Sequence, residues 1–468
     1  MSTKAKTLDP NAKLSWLERI SYGIGDYAGN LVYSAISAFL LVYYISVVGI
    51  PSATAASVMA ISKIFDGVSD LIMGRIVDKT HTKWGKARPW LIRASIPLAI
   101  CTVLMFTVPA GFSMTLKIAY AFLTYNLVST IFYTALNVPY ATLQGLMTTN
   151  QYERGLLGNF RMLLATFGTM TINTVTLKLV TAFGGSETSQ KGWTMAFIVL
   201  MLVFVGLNLI TFFCCKERVV EEPEAEDPEK KTKGPSVVAC LKSLVTNKYW
   251  VIMVIFLFAL YFMMSTFFGA NYYFSQYVLG APESYSKLAN ALSLSQMGMM
   301  FLTPFIMKKI GKRWTALIGM AAAAVAFLLT SLAGTNVNLV FAANILKGAA
   351  FGCGAATMFG LLQDAITYGQ WKSNVAAMGM GNAASSFTMK IGSGLGTAAL
   401  GWILAAGNFD ADPSGAPAIR AINTAVIWVP LIIAVIGVAC MFLFDLDKKY
   451  DKVVEDLNNG RWAGSTEE

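Results

Sequence analysis

The run Ser62-Lys-Ile-Phe-Asp66-Gly-Val-Ser-Asp70-Leu-Ile-Met-Gly74 lies inside an apolar stretch covering residues 53–77. As a helix, a stretch of about 20 or more such residues crosses a hydrocarbon core of roughly 30 Å. Asp66 and Asp70 are four residues apart, so a helix presents both carboxylates on one face. An acidic side chain at the centre of a membrane helix costs roughly 2.5–3.5 kcal/mol on insertion scales, and two on one face require compensation. A bound cation supplies it; a salt bridge to Lys63 or Arg161 is the competing explanation.

The pattern extends along the chain. Of 468 residues, 55% are hydrophobic and only 13% charged, and the mean hydropathy is +0.57. A soluble domain has about a quarter of its residues charged, so this composition specifies an integral membrane protein. Twelve apolar stretches are legible: 19–47, 53–77, 89–110, 115–146, 155–183 and 192–215, then 248–278, 285–307, 314–334, 338–366, 376–406 and 418–444. The expected fold is all-α, with twelve transmembrane helices. No short apolar region with a small-residue cleavage site precedes the first, so no removable signal peptide is expected.

The net charge of +10 follows topology and does not form one basic stripe, which argues against a nucleic-acid partner. Lys79, Lys83, Lys86 and Arg88 follow helix 2, Lys216 and Arg218 follow helix 6, and Lys308, Lys309, Lys312 and Arg313 follow helix 8. Loops on the other side are nearly bare, so the positive-inside rule puts both termini in the cytoplasm. The six cysteines show no metal-type spacing and read as small apolar residues.

The longest polar interruption, from Lys216 to about Lys248, carries Glu221, Glu222, Glu224, Glu226, Asp227 and Glu229 ahead of Lys230, Lys231 and Lys233. It reads as a solvated linker. The expected organisation is a six-helix bundle over 1–215, a linker over 216–247, a second bundle over 248–444 and a cytoplasmic tail over 445–468. Basic loops at equivalent places in the halves, after helices 2 and 8, resemble the repeat of major facilitator transporters, in which substrate binds near the midplane between the halves.

Two helices carry polar stripes. Tyr22, Asp26, Asn30 and Tyr33 share one face of helix 1, and Tyr133, Asn137, Tyr140 and Gln144 one face of helix 4. Amides and phenols offer donors and acceptors to sugar hydroxyls, and their rings suit pyranose faces; interhelical hydrogen bonding would also account for them. Arg161 in helix 5 calls for a carboxylate partner. Lys390 shares a face with Asn382 and Ser386, where it can contact substrate hydroxyls or compete with a cation for the carboxylates. Lys347 lies about ten residues into helix 10, near mid-bilayer depth at roughly 1.5 Å per residue. It either pairs with a carboxylate such as Asp26 or receives an anionic substrate group, for instance a hexuronide carboxylate. Asp364 near the end of the same helix suits a gate or loop anchor.

No enzyme can be assembled. The one histidine, His81, sits in a loop without a nucleophile partner, and no Walker-type lysine motif occurs, so transport is expected to run on an ion gradient or downhill.

Several motifs together resemble one bacterial family. They are Tyr22-Gly-Ile-Gly-Asp26, the Asp66 and Asp70 pair, Asp78 ahead of Trp84-Gly-Lys-Ala-Arg88-Pro-Trp90, Tyr133-Thr-Ala-Leu-Asn137-Val-Pro-Tyr140, and Asp364 ahead of Tyr368-Gly-Gln-Trp371. In this order the chain resembles, over nearly its whole length, the glycoside-pentoside-hexuronide:cation symporters. The resemblance implies that Asp66 and Asp70 form the core of a cation site, with Thr134 as an oxygen ligand and Ser69 beside them. It also implies that Asp26, Asn30, Asn137, Arg161 and Lys390 lie at or near the sugar site. The coupling cation would be Na⁺ or H⁺, with Li⁺ as a further option, and no other cofactor is implied. Gly29-Asn30 and Asn137 depart from the melibiose carriers and sit closer to the xyloside and glucuronide branches. Thr367, Gln370, Ala376 and Met378 stand where the family often has charges, implying a changed cytoplasmic gate. The expected protein is a monomeric sugar symporter of the bacterial inner membrane working by alternating access; a passive facilitator and a non-transporting membrane sensor are the alternatives.

Overall fold

The computed structural model describes residues 13–80, 82–148, 150–218, 237–375, 377–459 and 461–463. His81, Ala376, the acidic part of the linker and the side chain of Asp78 lie outside the described residues. Apart from one bridge between Thr82 and Gly85, the described regular structure is helical. The chain divides into two compact units, Met1–Glu226 and Asp227–Glu468.

The first unit contains α1 (Trp16–Ser46), α2 (Ser52–Asp78), α3 (Arg88–Met105), α4 (114–147), α5 (Gln151–Gly184) and α6 (Gln190–Cys214). Ser15 starts α1 with a capping box: its hydroxyl accepts from the Glu18 N–H, and the Glu18 carboxylate accepts from the Ser15 N–H at 3.1 Å. The start of α3 is capped from a distance. The Glu217 carboxylate, just beyond α6, accepts from the backbone N–H groups of Lys86, Ala87 and Arg88, each at 2.9 Å. Three orphan donors and the positive end of the helix dipole thus meet one anion. Helix α1 packs on α5 and α6, α3 on α6, and α2 on α4.

The second unit contains a short linker helix (Val237–Val245), α7 (Lys248–Val278), α8 (284–310), α9 (312–333), α10 (Val337–Ser373), α11 (Met378–Ala406), α12 (416–443) and a tail helix (Tyr450–Asn458). Helices α8 and α9 run on as Ser284–Ala333, and Gly311, with φ +83°, breaks them where the basic loop was expected. The linker is not solvated throughout: Val237–Val245 is helical, with Cys240 and Leu244 buried, because its apolar residues recur at helical spacing. The tail is also docked. Val453 is buried, and the Trp371 indole of α10 donates to Asp456 at 3.0 Å.

Each of the twelve predicted stretches contains a helix, and in 89–110 it ends at Met105. Among the described residues nine segments are long and apolar enough to cross a membrane. Helix α2 is not one of them, since Lys63, Asp66, Asp70 and Arg75 interrupt its apolar run. Large apolar side chains such as Leu202, Phe213, Leu332 and Phe442 face outward, as a lipid solvent allows and water does not favour.

Four π turns widen the helices, at Ile36–Leu40 in α1, Leu127–Tyr133 in α4, Phe274–Val278 in α7 and Thr424–Trp428 in α12. The one in α4 positions the site.

Candidate cation and sugar site

The π turn Leu127–Tyr133 and the residue that follows it set the hydroxyls of Ser129, Thr130 and Thr134 against α2. Asp66 is 5% exposed, and its Oδ1 accepts from Thr130 Oγ1 at 2.6 Å. Its Oδ2 accepts from Ser129 Oγ at 2.9 Å and from Lys63 Nζ at 3.1 Å. Asp70 Oδ1 accepts from Thr134 Oγ1 at 3.1 Å, and Ser69 Oγ lies 3.2 Å from the same threonine oxygen. Asp66, Asp70, Ser69 and Thr134 therefore gather on one α2–α4 seam.

Sequence reading missed Ser129 and Thr130. Hydroxyls are inexpensive in membrane helices, so their one signal was adjacency to the Tyr133-Thr134 motif. The salt bridge that competes with a cation is also present, and it is made by Lys63; Arg161 is used elsewhere. Among the described residues no group of three or more His, Cys, Asp or Glu could hold a metal. The seam offers two carboxylates and hydroxyl oxygens, a hard donor set suited to an alkali cation or a proton and unsuited to zinc or copper.

A second polar cluster joins α1, α4, α5 and α6. Arg161 Nε lies 3.2 Å from Asp26 Oδ2, and the guanidinium stands 5.2 Å over the Tyr140 ring. Tyr140 stacks on Tyr22 with centroids 4.7 Å apart, and its hydroxyl donates to the Tyr22 carbonyl at 2.6 Å. This contact needs Gly25, since a Cβ there would meet the Tyr140 ring at 2.5 Å. Asn30 Nδ2 donates to the Asp26 carbonyl at 2.9 Å, and Tyr33 faces Tyr133 at 6.2 Å between rings. A cavity of about 10 Å³, room for about one water, is lined by Asp26, Asn137, Tyr140 and Asn208 among others. Asn208 Oδ1 is buried there without a hydrogen bond. A lone amide in an apolar helix was its only sequence signal.

One expectation changes. Tyr140 is 3% exposed with its hydroxyl committed to helix packing, so it supports Arg161 and offers no hydroxyl to a sugar. Tyr22 and Gln144, on the same stripes, are spent similarly: Tyr22 is fully buried and Gln144 donates to the Arg154 carbonyl at 2.9 Å.

In the second unit Lys347 is 1% exposed, its Nζ 3.0 Å from Asn344 Oδ1 and 4.7 and 5.1 Å from the ring centroids of Phe267 and Phe327. Among the described residues of the second unit no carboxylate is within ion-pair distance of it. Two aromatic faces and one amide carry the ammonium instead. Lys390 is half-buried on α11 and not free of partners. Asp364 ties α10 to the start of α9, its two oxygens 2.8 and 2.6 Å from Lys312 Nζ.

The family model described as MFS/sugar transport protein matches residues 21–448. The chain belongs to this family, and to its glycoside-pentoside-hexuronide:cation symporter branch. It is 32% identical to the isoprimeverose transporter of Lactiplantibacillus pentosus, over 94% of this chain and 91% of that one. It is also 32% identical to the putative glycoside/cation symporter YagG of Escherichia coli (strain K12), over 95% of each. A solved bacterial homologue of the human lysosomal transporter Spinster matches with a TM-score of 0.67 and 13% identity, over 96% of this chain and 97% of that one, which shows a shared fold.

Proposed function

We propose that the protein is a secondary active transporter that carries a glycoside or related sugar together with a cation, Na⁺ or H⁺, by alternating access. The observation that carries this reading is the α2–α4 seam. Asp66 and Asp70, expensive inside an apolar unit, converge with the hydroxyls of Ser129, Thr130 and Thr134 on a donor set fit for a small hard cation. The same helix α4 continues, three residues past Thr134, to Asn137, which lines the cavity beside Asp26. One rod thus touches both proposed ligands. Asp66, Asp70, Thr134 and Ser69 would take the cation; Asp26, Asn30, Tyr33, Asn137 and Arg161 would surround the sugar.

The relatives named as an isoprimeverose transporter and a glycoside/cation symporter support this substrate class. The distribution of lysine and arginine supports both termini in the cytoplasm.

Purified protein in proteoliposomes should concentrate a glycoside above equilibration when a Na⁺ or H⁺ gradient is imposed. Equilibration without concentration would make it a passive facilitator. Absence of uptake under every gradient, with ligand binding retained, would make it a sensor.

A further inference from the structure

Resting on the transport reading, we infer that the sugar site takes a neutral glycoside and rejects its hexuronide counterpart.

Every cation that the sequence offers to a carboxylate substrate is engaged. Arg161 sits 3.2 Å from Asp26, on the Tyr140 ring. Lys63 holds Asp66 at 3.1 Å. Lys347 is 1% exposed between Phe267 and Phe327, its ammonium already donating to Asn344 at 3.0 Å, so it presents no surface to a ligand. Lys390 is not free. An incoming carboxylate could reach Arg161 only beside Asp26, and two like charges sharing one guanidinium are opposed by their own repulsion.

The open groups, by contrast, are uncharged. The Asn137 amide and the Tyr33 and Tyr133 hydroxyls make no hydrogen bond among the described residues. Asn137 and Tyr133 line the cavity that Asp26 lines, and all three groups match hydroxyl groups in donor and acceptor character. A site whose charges cancel internally and whose unspent capacity is amide and phenol binds polyols better than anions.

The test uses three nitrophenyl β-glycosides, a xyloside, a glucoside and a glucuronide, the last two differing only in CH₂OH against COO⁻ at C6. Uptake into proteoliposomes and thermal-shift binding to purified protein are measured for each. The expected result is that at least one neutral glycoside is bound and carried and the glucuronide competes about tenfold more weakly or worse. Lys347→Met should leave the neutral-to-acidic ratio unchanged. A glucuronide carried as well as the glucoside would overturn the inference while leaving the transport reading standing, as would selective loss of glucuronide uptake in Lys347→Met. Failure of all three sugars in both assays would overturn the glycoside reading itself and the inference with it.

Discussion

Arg19 and Glu153 form a two-point ion pair, Nε to Oε2 at 3.0 Å and Nη2 to Oε1 at 2.8 Å, that ties the first turn of α1 to the first turn of α5. Their side chains are 10% and 2% exposed. Breaking a buried pair from one side leaves an uncompensated charge and costs about 3–5 kcal/mol. Glu153→Leu should therefore lower the thermal midpoint of the purified protein markedly, and Arg19→Met combined with Glu153→Leu should recover most of the loss. A double variant as unstable as the single one would contradict this account.

Asp66→Asn and Asp70→Asn keep the size of each side chain and remove its charge. In Asp66→Asn, Ser129, Thr130 and Lys63 also lose their carboxylate acceptor. Both variants should abolish accumulation against a gradient, while sugar binding persists in part and no longer responds to the cation. Cation-dependent binding that survives unchanged in both would remove the α2–α4 seam from the coupling mechanism.

Gly25→Ala places a methyl group 2.5 Å from the Tyr140 ring and 3.1 Å from Thr211. Overpacking of this kind costs about 1–3 kcal/mol and displaces the ring on which Arg161 rests. Sugar affinity should fall, and cation binding at the Asp66 seam should be retained. Isothermal titration with each ligand separates the two effects.

Glu217→Gln keeps one acceptor at the start of α3 but removes the anion that three backbone N–H groups share. The expected loss is about 0.5–2 kcal/mol, read as a lower thermal midpoint with unchanged sugar selectivity. A selectivity change would mean that the cap reaches the site.

The helices were legible because a membrane admits few alternatives: apolar length alone places α6 at 192–215, against Gln190–Cys214 observed. The Asp66 and Asp70 pair was legible for the same reason, as charge where lipid forbids it. What escaped was whatever depends on residues distant in the chain. The environment of Lys347 is made by Phe267 on α7 and Phe327 on α9, and nothing local distinguishes those rings from lipid-facing ones. Tyr22 and Tyr140 carried the periodicity of a ligand stripe yet stack on each other, because a 3.6-residue repeat gives the face of a helix and not what that face meets. Ser129 and Thr130 were hidden by the π turn, whose wider winding departs from the i, i+4 spacing used to read α4.

That turn also sets a constraint on the gene. Residues 127–133 wind with i→i+5 bonds, so the segment carries a surplus residue relative to an α-helix of the same rise. Removing one codon there could restore an unbroken α ladder with every backbone bond intact, and the fold would lose little. Because the wider turn absorbs that residue within a single revolution, Thr134 and Asn137 would stay in phase with the helix before the turn. A residue removed from the flanking α turns would instead swing everything beyond it by about 100°, at 3.6 residues per turn. The π turn is the place where the length of α4 can change by one residue without putting its two ends out of phase.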